Sequence, residues 1–255
     1  MALLSIEDLS IRFGGVVALD GVTFSHEPGQ ILGLIGPNGS GKTTVFNCIT
    51  RVYEPGRGSI LFDGADLLRL PAHKVIAAGV ARTFQNLELF GSMSVIENVL
   101  VGQHTTMRSS LLDCAFALPR VGREERHARR RAEEMLEMLG LQDHRDISVA
   151  GLPFGLKKRV ELARALVSQP RLLLLDEPAN GLSFEEAAGL AHLVRQLRDE
   201  LKLTVVLVEH NMHLVMDVSD RVCVLNFGTK IAEGTAEEVQ RDPAVLGAYL
   251  GDSDA

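Results

Sequence analysis

The sequence predicts an α/β fold in which a mainly parallel sheet is covered by helices on both faces, joined by an N-terminal antiparallel β layer and an inserted helical subdomain. Three observations carry this reading. After residue 30, short apolar runs rich in β-branched residues alternate with amphipathic segments, the pattern of strands buried on both faces. The first 30 residues instead alternate apolar and polar, as exposed antiparallel strands do. Residues 87–169 carry almost no strand pattern. The expected division is one domain over residues 1–255, with 1–86 and 170–255 forming the core and its β layer and 87–169 the helical subdomain.

Along the chain, "SIEDLSIRFGG" and "VVALDGVTFSHEPG" supply the β layer. "QILGLIG" is a strand followed by the helical run "KTTVFNCIT". In the middle section, "REERHARRRAEEMLEMLG" has helical periodicity, and Gly140 supplies a C-terminal cap. Its arginines interleave with glutamates at helical spacing, which favours a solvated, salt-bridged face over a nucleic-acid contact. Residues 103–122 mix turn and apolar residues and mark no element. "GLPFGLKKR", residues 151–159, puts three cations at the start of a helix, where they oppose its dipole. "RLLLLDE" then leads into "SFEEAAGLAHLVRQLRDEL", and "LTVVLVEH" into "NMHLVMDVS", before the strand "DRVCVLNFG". The tail "GDSDA" is expected to be disordered.

Composition narrows the function. A formal net charge of -7 repels nucleic acid and anionic lipid, and with no Trp and two Tyr there is little to stack on single-stranded bases. The N-terminus meets Glu7 and Asp8 without a cationic start, so it does not read as a secretory signal. Runs such as "LLLL" at 172–175 are strand-sized and too short to span a bilayer. Cys48, Cys114 and Cys223 lack metal-binding spacing and read as reduced, buried thiols. His210 and His213 have metal-like spacing but no third ligand.

The chemistry begins at "GPNGSGKT", Gly36 to Thr43, which matches G-x-x-x-x-G-K-[ST] between a strand and a helix. Glycines there let successive amides turn toward phosphates, and the next helix presents its positive end. Lys42 is expected at the β- and γ-phosphates and the Thr43 hydroxyl on Mg²⁺. "LLLLDE" delivers Asp176 and Glu177 to the carboxyl edge of the sheet, where Asp176 suits the Mg²⁺ shell and Glu177 suits polarising a water. A second strand ends in Glu209 and His210, and the histidine is placed to donate to a γ-phosphate.

With "GPNGSGKTT", "LLLLDEP" and "VEHNM" in this order, and "FGLKKRVELARAL" before the Asp-Glu strand, the chain resembles the ATP-binding cassette ATPases over nearly its full length. The resemblance implies a P-loop NTPase fold of that type, with ATP and Mg²⁺ as cofactors. It puts Phe13 on adenine, Gly36, Pro37, Asn38, Gly39, Ser40, Gly41, Lys42, Thr43 and Thr44 on the phosphates, and Gln85 on Mg²⁺ beside Thr43 and Asp176. It makes Glu177, His210, Gln85 and Lys42 the catalytic set. Leu152, Pro153, Phe154, Gly155 and Leu156 match the signature loop, usually L-S-G-G-Q, that clamps the γ-phosphate held by a second ATPase subunit. Its cations and helix start would then face that subunit's ATP. Pro153 stands where Ser is usual and removes a hydroxyl and an N–H, leaving the amides of Gly155, Leu156 and Lys157. A working site with fewer contacts is expected; the alternative is a weakly hydrolytic one. Ser183 stands where Asp is usual, which puts that Asp's cross-dimer contact in doubt.

More narrowly, "ARTFQNLELFGSMSVIENVLVGQH", "DRVCVLNFGTKIAEGT" and "AYLGD" look like the ATPase subunits of branched-chain amino acid uptake transporters. Relatives that serve urea, other amides or lipopolysaccharide export share much of this text, and cassette ATPases acting on nucleic acid are the reading from another class. The implied partners are a second ATPase subunit, the same or a related chain, transmembrane permease subunits and, indirectly, a substrate-binding protein. Nucleic acid is not among them. The implied place is the cytoplasmic face of the cell membrane.

Overall fold

A computed structural model describes residues 2–83, 87–104 and 119–250. The chain divides into two compact units, residues 1–82 with 171–255 and residues 83–170.

The first unit holds both sheets. β1 (Leu4–Phe13), β2 (Val16–His26), β4 (Arg57–Phe62) and β5 (Ala65–Asp66) form an antiparallel sheet in the order β2-β1-β4-β5. Along β1, Leu4, Ile6, Leu9 and Ile11 are buried and the intervening residues are not, the alternation being interrupted by an irregularity that leaves both Glu7 and Asp8 exposed. β3 (Ile31–Ile35), β6 (Val80–Arg82), β7 (Leu172–Asp176), β8 (Thr204–Val208), β9 (Arg221–Asn226) and β10 (Thr229–Gly234) form the second sheet, in the order β10-β9-β3-β8-β7-β6. All its pairings are parallel except β10 with β9. Every residue of β3, β7 and β8 is buried, because helices must cover both faces of a parallel sheet. Leu4, Ile6 and Ile60 of one sheet and Leu34, Leu174 and Val206 of the other share an apolar cluster with Phe46 and Ile49 of the helix Lys42–Ile49.

Register sets the site. Leu34 of β3 lies beside Val208 of β8, which lies beside Asp176 of β7. Three strands therefore end level with one another, and the residues that follow them, Gly36, Glu177 and Glu209, emerge at one carboxyl edge.

The second unit contains the helices Val95–Val101, Pro119–Met138 and Phe154–Leu166. Pro119–Met138 carries i,i+4 pairs between Arg120 and Glu124, Arg129 and Glu133, and Arg130 and Glu134, the salt-bridged face expected of this segment. Gly140 follows it at φ +66, the left-handed conformation of a C-terminal cap. Most of residues 103–122, where the sequence marked no element, lies outside the described residues, as do Cys114 and the tail "GDSDA".

Candidate functional site: the carboxyl edge of the parallel sheet

The phosphate loop leaves β3 at Gly36, whose φ of +149 suits glycine. A side chain is also excluded by space: a Cβ here would stand 2.0 Å from the Leu225 carbonyl oxygen and 2.7 Å from Ser40 Oγ. The turn between β9 and β10 braces the loop, with the Gly228 amide donating to Ser40 O at 3.0 Å and Asp20 N donating to Gly228 O at 2.8 Å. The Tyr249 phenol of the last helix, pushed up in pKa by burial, hydrogen-bonds the Gly36 backbone.

Lys42 is buried, and its ammonium donates to Gly36 O at 2.8 Å, Pro37 O at 2.9 Å and Ser40 Oγ at 3.4 Å. Burial lowers its pKa, and the charges of Glu177 and Asp176 oppose that shift. The loop thus holds the cation folded back on its own carbonyls. Ser40 is buried, Asn38, Gly39 and Thr43 are exposed, and Pro37, Gly41 and Thr44 lie between these extremes.

Asp176 ends β7 almost fully buried, and Arg82 from the neighbouring β6 donates to its Oδ2 at 2.6 Å. The next residue, Glu177, adopts φ +48, the bend by which a strand end brings two adjacent carboxylates to one edge. Its Oε1 lies 2.5 Å from His210 Nε2. Asp176 and the exposed Thr43 hydroxyl are hard oxygen donors, the kind Mg²⁺ takes, and the glycine cradle with its inward lysine fits a polyphosphate.

Phe13, at the end of β1, is 45% exposed and meets the Tyr53 ring edge-on, with centroids 4.9 Å apart. Leu152, Pro153, Phe154, Gly155 and Leu156 belong to the second unit. There Pro153 is the N-cap of the helix Phe154–Leu166 and supplies no side-chain cap. The amide of Lys157, expected to be open to a ligand, donates to Pro153 O at 3.1 Å. The cations also have partners close by: Lys157 Nζ donates to Ala150 O at 3.2 Å, Arg159 to Leu139 O at 3.4 Å, and buried Lys158 lies 5.7 Å from the Phe154 ring centroid. These contacts, all within the unit, explain how the chain tolerates cations at a helix start. Gln85 lies outside the described residues.

Sequence reasoning missed the supporting residues. The bonds of Arg82 to Asp176 and of Glu209 to Ala179 join residues far apart in sequence and so leave no local signature. Ser183 did leave one: "SFEE" is an S-x-x-E capping box, and the Ser183 side chain accepts from Glu186 N at 3.3 Å while Glu186 Oε2 accepts from Ser183 N at 2.8 Å. The serine at the position where Asp is usual thus starts the helix Phe184–Leu201.

This arrangement agrees with the comparisons to known proteins. Residues 19–180 match the family model described as ABC transporter, and residues 229–255 match that of the branched-chain amino acid ATP-binding cassette transporter. The chain is 43% identical to the high-affinity branched-chain amino acid transport ATP-binding protein BraF of Pseudomonas aeruginosa over 98% of both chains. It is 44% identical to its counterpart LivG of Escherichia coli, again over 98% of each. An ATP-binding cassette of an ABC transporter solved in its ADP conformation superposes with a TM-score of 0.85 at 31% identity, covering 98% of this chain and 99% of the other. The chain belongs to the ABC transporter family and is one of its ATP-binding cassette ATPases.

Proposed function

We propose that this chain is the ATP-hydrolysing subunit of an importer, in which two ATPase subunits close on ATP to drive separate permease subunits in the membrane. The cargo we assign is branched-chain amino acids, supported by the two relatives and by the match of residues 229–255. The observation that carries the catalytic reading is the Glu177–His210 pair, 2.5 Å apart at the strand ends level with the phosphate loop.

In this reading Lys42 leaves the loop carbonyls for the β- and γ-phosphates, and Phe13 stacks on adenine. Thr43, Asp176 and Gln85 hold Mg²⁺, which neutralises charge on the phosphates. Glu177 orients and deprotonates the attacking water, and His210 turns its N–H from Glu177 to the γ-phosphate. Residues 152–156 of one subunit face the ATP held by the other. Hydrolysis removes the shared ligand and lets the pair open. The substrate-binding protein delivers cargo to the permease and does not touch this chain.

Glu177→Gln tests the assignment, because glutamine keeps the shape and removes the base. Hydrolysis is expected to fall roughly 10²–10⁴-fold, the usual share of a general base. The variant should also become dimeric in solution when ATP is added and stay monomeric without it, read by light scattering. Unchanged hydrolysis rules out Glu177 as the base; loss of hydrolysis with no ATP-dependent dimer means that the Pro153 loop does not clamp a second copy of this chain.

A further inference from the structure

We infer that Glu209 is a positioning residue of this site: its buried carboxylate ties the loop after Glu177 to the strand end bearing His210, and so holds the two catalytic groups in register. The inference rests on the catalytic reading of Glu177 and His210 above and extends it to a residue that acts through the segments bearing them.

The ladder between β7 and β8 ends at Asp176 beside Val208, with Glu177 N still donating to Val208 O at 2.8 Å. Beyond that bond nothing in regular sheet pairing fixes one segment against the other. Glu209 supplies the missing link. It is 4% exposed, its Oε1 accepts from Ala179 N at 2.7 Å, and its Oε2 accepts from His210 N at 3.0 Å and Asn211 N at 3.3 Å. One carboxylate oxygen therefore serves the Glu177 loop and the other the His210 turn. Amide donors to a carboxylate form charge-assisted bonds, stronger than neutral ones, which is how a charge can be buried here.

Two details separate this role from ordinary capping. The helix Met212–Val218 already has its cap, since Asn211 Oδ1 accepts from Leu214 N at 3.3 Å. Glu177 also sits at φ +48, a conformation that non-glycine residues hold only when their surroundings over-determine it. The two tethers flanking it, Glu177 N to Val208 O and Ala179 N to Glu209, run to the same neighbouring segment. Losing the second frees the bend.

The test is steady-state ATP hydrolysis by Glu209→Gln, with Glu177→Gln and the double variant measured beside it and folding checked by thermal melting. Glutamine keeps the size but turns an NH₂ group toward one of the amides. A misplacement near 1 Å costs about a hundredfold, so kcat is expected to fall roughly 10–100-fold while KM for ATP stays within about twofold. In the Glu177→Gln background the second change should cost almost nothing, because its effect passes through Glu177. If Glu177→Gln hydrolyses normally, the catalytic reading fails and this inference with it. If Glu177→Gln is inactive while Glu209→Gln keeps its kcat, the inference alone is overturned. It is also overturned if kcat falls together with ATP affinity, or if the two losses simply multiply, since either marks general disruption. Should Glu209→Gln not fold, Glu209→Asp, which keeps the charge but is too short to span both segments, carries the same criteria.

Discussion

Arg82 donates to Asp176 through side chains only 8% and 3% exposed, donates also to Asn47 Oδ1 at 2.7 Å, and lies 5.5 Å from the Phe46 ring centroid. Two charges removed from water are tolerated only as a well-bonded pair, so removing one partner strands the other. Arg82→Met is expected to cost about 3–5 kcal/mol, read as a lower denaturant midpoint at unchanged slope. An unmoved midpoint would show that water or another cation already compensates Asp176. Such pairs mark the limit of what a sequence discloses about a site. Lys42 and Thr43 are legible because the phosphate loop is contiguous, and Asp176, Glu177 and His210 because an apolar run ending in a polar residue announces a strand's carboxyl end. Arg82 is 94 positions from Asp176, Glu209 is 30 from Ala179, and Tyr53 stands far along the chain from Phe13. Nothing in periodicity or spacing connects them.

Elements followed their patterns where burial was two-sided or alternating over most of the strand. Uniformly buried β3, β7 and β8 and alternating β1 were readable for that reason. β5 and β6 were not, because two or three residues carry no period. Helix contacts are equally hidden, as Gly102 shows. It follows the helix Val95–Val101 at an ordinary φ of -62, where replacing glycine by alanine usually stabilises by restricting the unfolded chain. Here a Cβ would stand 2.1 Å from Arg164 O and 2.8 Å from Val167 Cγ1, at the end of the helix Phe154–Leu166. The close approach decides the sign. Gly102→Ala should destabilise by about 1–3 kcal/mol, the cost of overpacking, and a melting temperature raised by the change would refute the packing described.

For the whole molecule, buried and capping groups set how stability depends on pH, and their effects point the same way on the acid side. His26 donates from Nε2 to Val205 O at 3.0 Å, and burial holds its pKa below the ordinary 6.5. As pH falls through 6.5 the unfolded chain takes up a proton that the folded chain refuses, so stability declines. Glu97, Glu186 and Glu238, each bonded in a capping box, have pKa values lowered from 4.5 by amides and hydroxyls of Ser94, Ser183 and Thr235. Their contribution is complete above 4.5 and is lost as pH falls below it. Above neutrality the order reverses: burial pushes the thiols of Cys48 and Cys223 up to about 11 and about 12, so unfolded thiols ionise first, near 9, and stability declines again. The melting temperature should therefore fall in two stages on acidification, the first beginning near pH 6.5 and the second near 4.5. His26→Gln, which keeps an N–H donor and removes the titration, should abolish the stage beginning near pH 6.5 and leave the one beginning near 4.5. If the first stage survives that change, some other group governs it, and His26 is not the proton acceptor that weakens the fold in mild acid.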